Sequence, residues 1–417
     1  MTTGQKVILV LLGLSLVAGL ATGKVLYYRL TLLWALLFFG SWVWSAISLR
    51  GIGFSRSART LRAQVGQIFE ERFDIHNPSF YPRLWLQVLD DSALPGTDGS
   101  RVLTMIQGKQ SRSYVARTRL LNRGVFPMGP TVLSSGDLFG LFPTKISLPA
   151  QDTLLVYPMI VDVRAFPNPP GILPSGEARR RRTHQITPNA AGIRDYMHGD
   201  PLNRIHWVST ARRGRMMVKE FELDPLADVW IFLDAEKAVQ CAKPQPEPDY
   251  YAKDFWQRHT KITLPPSTEE YGVTIAASLA RDYLRRGRAV GLVGAGQHLA
   301  LISPDRGGRQ LGKILEALAL IRADGTIPLR GLVETQVKHM VRGSTVVLIT
   351  PAVDKEIALL VDYLLQRGLR PVVVLLEATS FGGEPGTDGL QTSIRILGVT
   401  TRKVACGSDL ELVLSSG

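Results

Sequence analysis

The stretch Gly192–Glu222, GIRDYMHGDPLNRIHWVSTARRGRMMVKEFE, holds the densest set of reactive side chains in the chain. Arg194, Arg204 and Arg212 could grip an oxyanion, because a guanidinium fork matches two oxygens at once. Asp200 and His206 could be drawn as an acid–base pair beside a Gly199-Asp200 turn, with Tyr196 and Ser209 within reach in sequence. A structural use of the same residues is the stronger expectation. Asp195, Asp200, Glu220 and Glu222 are at hand to neutralise the arginines, and Trp207 with Ile205 reads as a buried anchor between two folded units. The Arg179–Arg182 run just before it reads as a solvated loop able to touch anionic lipid.

A second candidate follows the apolar run Val229–Leu233. Asp234 and Glu236 stand at its carboxyl end, where open α/β sheets place their ligands. Gly294, Gly296, Thr350 and Asp354 fall at comparable places. Gly294-Ala295-Gly296 lacks the third glycine and the helix start of a dinucleotide loop. No G-x-x-x-x-G-K-[ST], H-E-x-x-H or G-x-S-x-G occurs, and none of the seven histidines forms an i, i+4 pair. No catalytic residue, metal ligand set or cofactor is therefore expected.

The elements that would position these residues fall into three regions. Val7–Gly23 and Thr31–Leu49 are uncharged and apolar, and as helices they reach roughly 26 and 29 Å, close to a hydrocarbon core. Only Lys24–Leu30 separates them, so they read as a transmembrane hairpin within residues 1–55. A cleaved signal peptide would account for the first span alone. Arg50, Arg56, Arg59 and Arg62 follow the second span, against Lys24 and Arg29 in the connection. Positive-inside counting puts both termini and the soluble domains in the cytoplasm. From 56 to 165, short runs (Gln67–His76, Leu84–Leu89, Ser113–Leu121, Leu154–Tyr157) separated by Gly, Pro and Asn predict an all-β, Ig-like sandwich. Its clusters Arg123-Gly124-Val125-Phe126 and Asp137-Leu138-Phe139-Gly140-Leu141-Phe142 read mainly as turns and core, with Phe139 and Phe142 as a candidate interaction loop. Residues 166–225 form the interdomain segment.

From 226 to 417 the pattern becomes α/β with a mostly parallel sheet. Helices are expected over Glu269–Arg286, Gln310–Ile321 and about Asp354–Arg367. Strands are expected at Ala289–Val293, Ser344–Ile349, Pro371–Leu376 and Ile394–Leu397. Cys241–Pro266, with five prolines, reads as a long insertion.

Composition narrows the classes further. Two cysteines in 417 residues exclude a disulfide scaffold and a four-thiolate zinc module. The net charge is +13, of which Lys6, Lys24, Arg29 and Arg50 belong to the hairpin, leaving +9 outside it. That charge favours anionic partners, but no aromatic–basic interleaving or reading helix supports nucleic acid.

The pattern G-I-R-D-Y-x-x-G-D-x-x-x-R-I-H-W-x-S-x-A-R-x-G, followed by V-K-E-F-E, resembles the signature of the bacterial membrane-anchored family called domain of unknown function fifty-eight. The Arg123–Phe126 and Asp137–Phe142 clusters resemble that family's other marker. The resemblance implies two spans, a β domain, the signature and a von Willebrand factor A-like domain. It also implies partnership with a MoxR-type AAA+ ATPase and other membrane proteins in a chaperone-like assembly role. A complete adhesion site of such domains reads Asp-x-Ser-x-Ser. Here Asp234 is kept, Glu236 and Ala238 replace the serines, and Thr350-Pro351 replaces a later Asp-Gly. The expected function is a non-enzymatic, membrane-anchored interaction or assembly factor. The alternative is an enzyme or ligand-binding protein acting on an anionic cell-envelope substrate through the Arg/His/Asp segment.

Overall fold

The computed structural model describes residues 2–164, 166, 190–197, 205–221, 228–244 and 263–415. The chain divides into two compact units, Met1–Met159 and, for the most part, Ile160–Gly417.

The first unit opens with two helices, α1 (Thr3–Thr22) and α2 (Val25–Ser48), each long and apolar enough to cross a membrane. A reciprocal cap between Thr2 and Gln5 starts α1, and Gly23 in the left-handed region ends it. The Thr31 hydroxyl donates to Ser15 Oγ at 3.0 Å, so the helices pair antiparallel. Val10, Leu14, Val17, Leu32, Leu36 and Phe39 stay exposed. The last two turns of α2 differ, since Ser41, Ser45 and Ser48 are buried along one stripe. There the Arg83 guanidinium caps the helix, donating to the Ile47 and Arg50 carbonyls, the latter at 2.7 Å. A cation at a helix carboxyl end meets both the free carbonyls and the dipole.

Ten strands follow: β1 (Gly53–Ala58), β2 (Arg62–Gln64), β3 (Ile68–His76), β4 (Arg83–Asp90), β5 (Arg101–Ile106), β6 (Ser111–Arg119), β7 (Gly124–Pro127), β8 (Thr131–Ser135), β9 (Thr144–Leu148) and β10 (Thr153–Tyr157). They form antiparallel sheets β1-β3-β6 and β5-β4-β8-β9, and a mixed sheet β2-β10-β7. Strict alternation in β3 turns Phe69, Glu71, Phe73 and Ile75 inward. Phe73, Ile75 and Tyr114 from one antiparallel sheet share a core with Leu86, Val88 and Leu133 from the other. Glu71 is buried because Arg56 meets it at 2.7 Å and also meets Asp90 at 2.9 Å. Desolvation still raises the Glu71 pKa above its usual value.

In the second unit, β11 (Ala190–Asp195), α3 (Trp207–Arg213) and β12 (Met217–Phe221) precede a six-stranded sheet. Its strands are β13 (Val229–Leu233), β14 (Val290–Ala295), β15 (Leu299–Asp305), β16 (Thr345–Thr350), β17 (Arg370–Leu376) and β18 (Thr401–Val404). The order is β15-β14-β13-β16-β17-β18, with only β15 antiparallel to its neighbour. Helices α4 (Thr268–Arg285), α5 (Gln310–Leu320), α6 (Leu329–Gln336), α7 (Glu356–Gln366), α8 (Thr387–Ile396) and α9 (Leu410–Ser415) accompany it. β13, β14 and β16 are buried at every position, as expected of parallel strands covered on both faces.

Two local expectations are corrected. Ile394–Leu397 is not a strand: Leu390 and Ile394 are the buried i, i+4 pair of α8, and the final strand is β18. A four-residue apolar run does not distinguish the two periods. The segment from Ile160 to Phe166 belongs with the second unit. Its Val161 amide donates to Ser278 Oγ at 3.0 Å, Arg281 and Arg286 of the α4 region hold its carbonyls, and Phe166 packs edge-on to Tyr283.

Candidate functional site

Strand order in the six-stranded sheet reverses between β13 and β16, the crevice where such sheets usually bind ligands. Leu233 pairs with Ile349, so the next residues, Asp234 and Thr350, lie side by side. The Thr350 hydroxyl donates to Asp234 Oδ2 at 2.6 Å, and the Glu236 amide donates to Oδ1 at 3.1 Å. Gln240 Nε2 holds the Asp234 carbonyl at 2.8 Å, and Thr268 orders Gln240 in turn. Asp234 is only 4% exposed, and burial pushes its pKa up to about 6 despite those two hydrogen bonds. Glu236 is half-buried and Asp354 is exposed where α7 begins.

The glycines here are required by packing. A Cβ at Gly296 would stand 2.2 Å from the Arg322 carbonyl, and one at Gly325 would stand 2.0 Å from the Ala295 carbonyl. Gly325 also bridges Glu236, with its amide on the Ala235 carbonyl at 2.9 Å. The 294–296 turn is therefore closed by protein backbone. Among the described residues no three His, Cys, Asp or Glu side chains gather as a metal set would require. The crevice offers one buried carboxylate facing one hydroxyl, and both carboxylate oxygens already accept protein hydrogen bonds.

The Gly192–Glu222 stretch is built differently. β11 and β12 pair antiparallel, with Arg194 opposite Val218 and Asp195 opposite Met217. Ile205 bridges Val218, and the His206 amide donates to the Met217 carbonyl at 2.8 Å. His206 caps α3: its Nδ1 accepts the Ser209 amide at 3.2 Å and lies 2.8 Å from the Ser209 hydroxyl. The pair therefore closes the first turn of a helix. Thr210 Oγ1 accepts the Met217 amide, tying α3 to β12, and Gly214 at φ 66° ends the helix. Asp195 pairs with Arg215 at 3.1 Å in solvent.

The anchor is corrected. Trp207 is 68% exposed, and Ile205, Met217 and Val218 are the buried residues. The cap at His206 is the physical reason, because it makes Ile205 the last residue of the extended pairing and Trp207 the first of the outward helix turn. Val208, Met197 and Met216 are exposed with Trp207, and Arg212 and Arg213 are exposed in the last turn. Tyr196 is half-buried, its amide on the Met216 carbonyl at 2.9 Å. Gly199, Asp200 and Arg204, and the Arg179–Arg182 run, lie outside the described residues.

Residues 192–244 match the family model described as Protein of unknown function DUF58. The chain carries a DUF58 segment. The match agrees with the resemblance drawn from its residues, and β11, α3 and β12 fall within it or at its edge. The chain is also 23% identical, over 247 residues, to the uncharacterized protein YeaD of Bacillus subtilis (strain 168). That alignment covers 58% of this chain and 54% of the relative, so the chain spans about half the length of that protein. Against solved structures, a GH20 exo-β-N-acetylglucosaminidase from Vibrio harveyi, in complex with N-acetylglucosamine, aligns at 9% identity. It covers 78% of this chain and 57% of that one at a TM-score of 0.17, too low to carry a statement about fold or activity.

Proposed function

We propose that this protein is a membrane-anchored interaction or assembly factor without catalytic activity of its own, and that its DUF58 segment presents the docking face. The observation that carries this reading is the exposure of Trp207 and Val208, together with that of Met197, Met216, Arg212 and Arg213 in the same segment. Exposed aromatic, Met and Arg side chains are the composition of protein interface centres. The catalytic alternative draws on Asp200 with His206 and on the arginines of the segment; of these, His206 serves here as a helix cap with Ser209.

In this reading α1 and α2 span the membrane, the first unit is an Ig-like sandwich and the second is von Willebrand factor A-like. Basic residues after α2 keep both units in the cytoplasm. The partner fitting a cytoplasmic face of this kind is a MoxR-type AAA+ ATPase, with other membrane proteins as further clients. A photoreactive phenylalanine analogue at position 207 of the full-length chain, expressed in cells, tests this. A crosslink to a MoxR-type ATPase that is lost at position 117 (Arg117, on β6) is expected. Crosslinking only to lipid, or equally at both positions, overturns the docking face. A reporter fused after Gly417 that is active outside the cytoplasm overturns the orientation.

A further inference from the structure

The loop Asp137–Phe142 is built rigidly yet leaves two large apolar side chains bare. Asp137 is buried, and its carboxylate accepts the Phe139 amide at 3.0 Å and the Phe142 amide at 2.7 Å. Trp85 Nε1 donates to the Asp137 carbonyl, and Gly140 turns the chain at φ 67°. With the backbone fixed this way, Leu138 is 70% and Phe139 65% exposed.

The other half of the loop grips the helical hairpin. Phe142 packs edge-on to Phe38, with ring centroids 5.1 Å apart. Its carbonyl accepts the Ser45 hydroxyl, and the Leu141 carbonyl accepts Thr2 Oγ1 at 3.0 Å. A Cβ at Gly4 would lie 2.9 Å from Leu141 Cδ2. Phe38 stands ten residues before Ser48, about 15 Å back along α2. The pairing of Ser15 with Thr31 puts Lys6 about level with Gly40, roughly half a turn (about 3 Å) from Trp42. A lysine and a tryptophan at one level mark a membrane–water boundary. A hydroxyl-lined notch of about 400 Å³, bordered by Thr2, Gln5, Trp42 and Ser45, opens there. Phe142 therefore reaches the level of the apolar spans, with Leu138 and Phe139 on the same short loop.

We propose that Leu138 and Phe139 insert into the headgroup–acyl boundary of the bilayer, as a third membrane contact beside the two helices. The occupant is lipid because Phe142 of the same loop packs on Phe38 within the apolar α2, while Leu138 and Phe139 stay exposed. This inference rests on the reading of α1 and α2 as spans.

The test is spin-label accessibility in the full-length protein, with Cys241→Ser and Cys406→Ser, in phosphatidylcholine–phosphatidylglycerol vesicles. Labels go one at a time on Leu138→Cys, Phe139→Cys, Leu36→Cys (exposed, mid-span) and Arg117→Cys, six residues along β6 from the strand end nearest α2. Expected are oxygen-favoured, nickel-shielded signals at 36, 138 and 139, and a nickel-accessible signal at 117. A lipid-buried label at 36 with nickel-accessible labels at both 138 and 139 overturns the insertion alone. A nickel-accessible label at 36 overturns the membrane reading itself, and the insertion with it.

Discussion

The two candidate places in the second unit are opposites. The crevice between β13 and β16 stands where this class of sheet usually binds ligands, and the protein has filled it with its own contacts: Thr350 and the Glu236 amide on Asp234, and Gly325 against Ala295. The DUF58 segment leaves Trp207 in solvent. Fold position alone thus points to the closed place, while side-chain exposure points to the open one. Binding needs side chains that a partner can reach, and the second place keeps Trp207 and Val208 exposed.

The largest expected effect breaks the comparison on the closed side. Asp234 has its pKa raised to about 6, so the folded protein binds that proton more tightly than the unfolded chain. Stability should then fall as pH rises from about 4 to about 6 and stay reduced above it. Asp234→Asn should remove that slope and raise stability at pH 7 by up to about 3 kcal/mol, at about 1.4 kcal/mol for each pKa unit. Unfolding of the full-length protein across pH 4–8 reads this. A destabilised Asn variant would mean that the carboxylate answers a charge beyond its described partners.

Thr350→Val should cost about 1–3 kcal/mol, since it leaves one Asp234 oxygen buried without its donor. The same variant should move the midpoint of the pH dependence further upward, because the lost hydrogen bond favoured the charged form. A midpoint that moves down would contradict the geometry.

On the open side, His206→Ala should cost about 1 kcal/mol, the usual value of a helix cap, and His206→Asn should restore most of it. A rescue of partner crosslinking by Asn as well as of stability would sharpen the structural role. A stable but inactive Asn variant would reopen the acid–base one.

Trp207→Ala has the smallest expected effect on stability, within about 0.5 kcal/mol, as for other exposed sites. Its effect on partner capture should be the largest of the four. A loss of several kcal/mol would show that Trp207 is covered, and the contrast between the two places would collapse.

Long-period patterns carried through to the fold. The apolar helices, the β-rich middle and the alternating strands and helices after Asp228 were legible because each depends on the burial of many residues with one periodicity. The DUF58 segment was legible as a string of residue types. Asp234 and Thr350 were each placed at a strand end. Their 2.6 Å contact was not visible, since 116 residues separate them and only the parallel register of β13 and β16 joins them.

Side-chain direction was not legible. Trp207 reads as an anchor by size and composition, and it faces solvent because His206 caps α3 one residue earlier. Glu71 of β3 points inward because Arg56 supplies its counter-charge and also meets Asp90 of the other antiparallel sheet. The antiparallel edge β15 and the switch of Ile394–Leu397 from strand to helix were also hidden, because short runs fit either period.

The sequence by itself determined where apolar surface lies along the chain and which residue types cluster, since hydrophobic periodicity and local capping act between near neighbours. Only the tertiary structure decided which carboxylates meet a partner, which aromatic stays bare, and that Phe142 lies against Phe38 with Leu138 and Phe139 left outside. The Asp234–Thr350 and Phe38–Phe142 contacts join residues about 100 positions apart, and no local pattern encodes that distance.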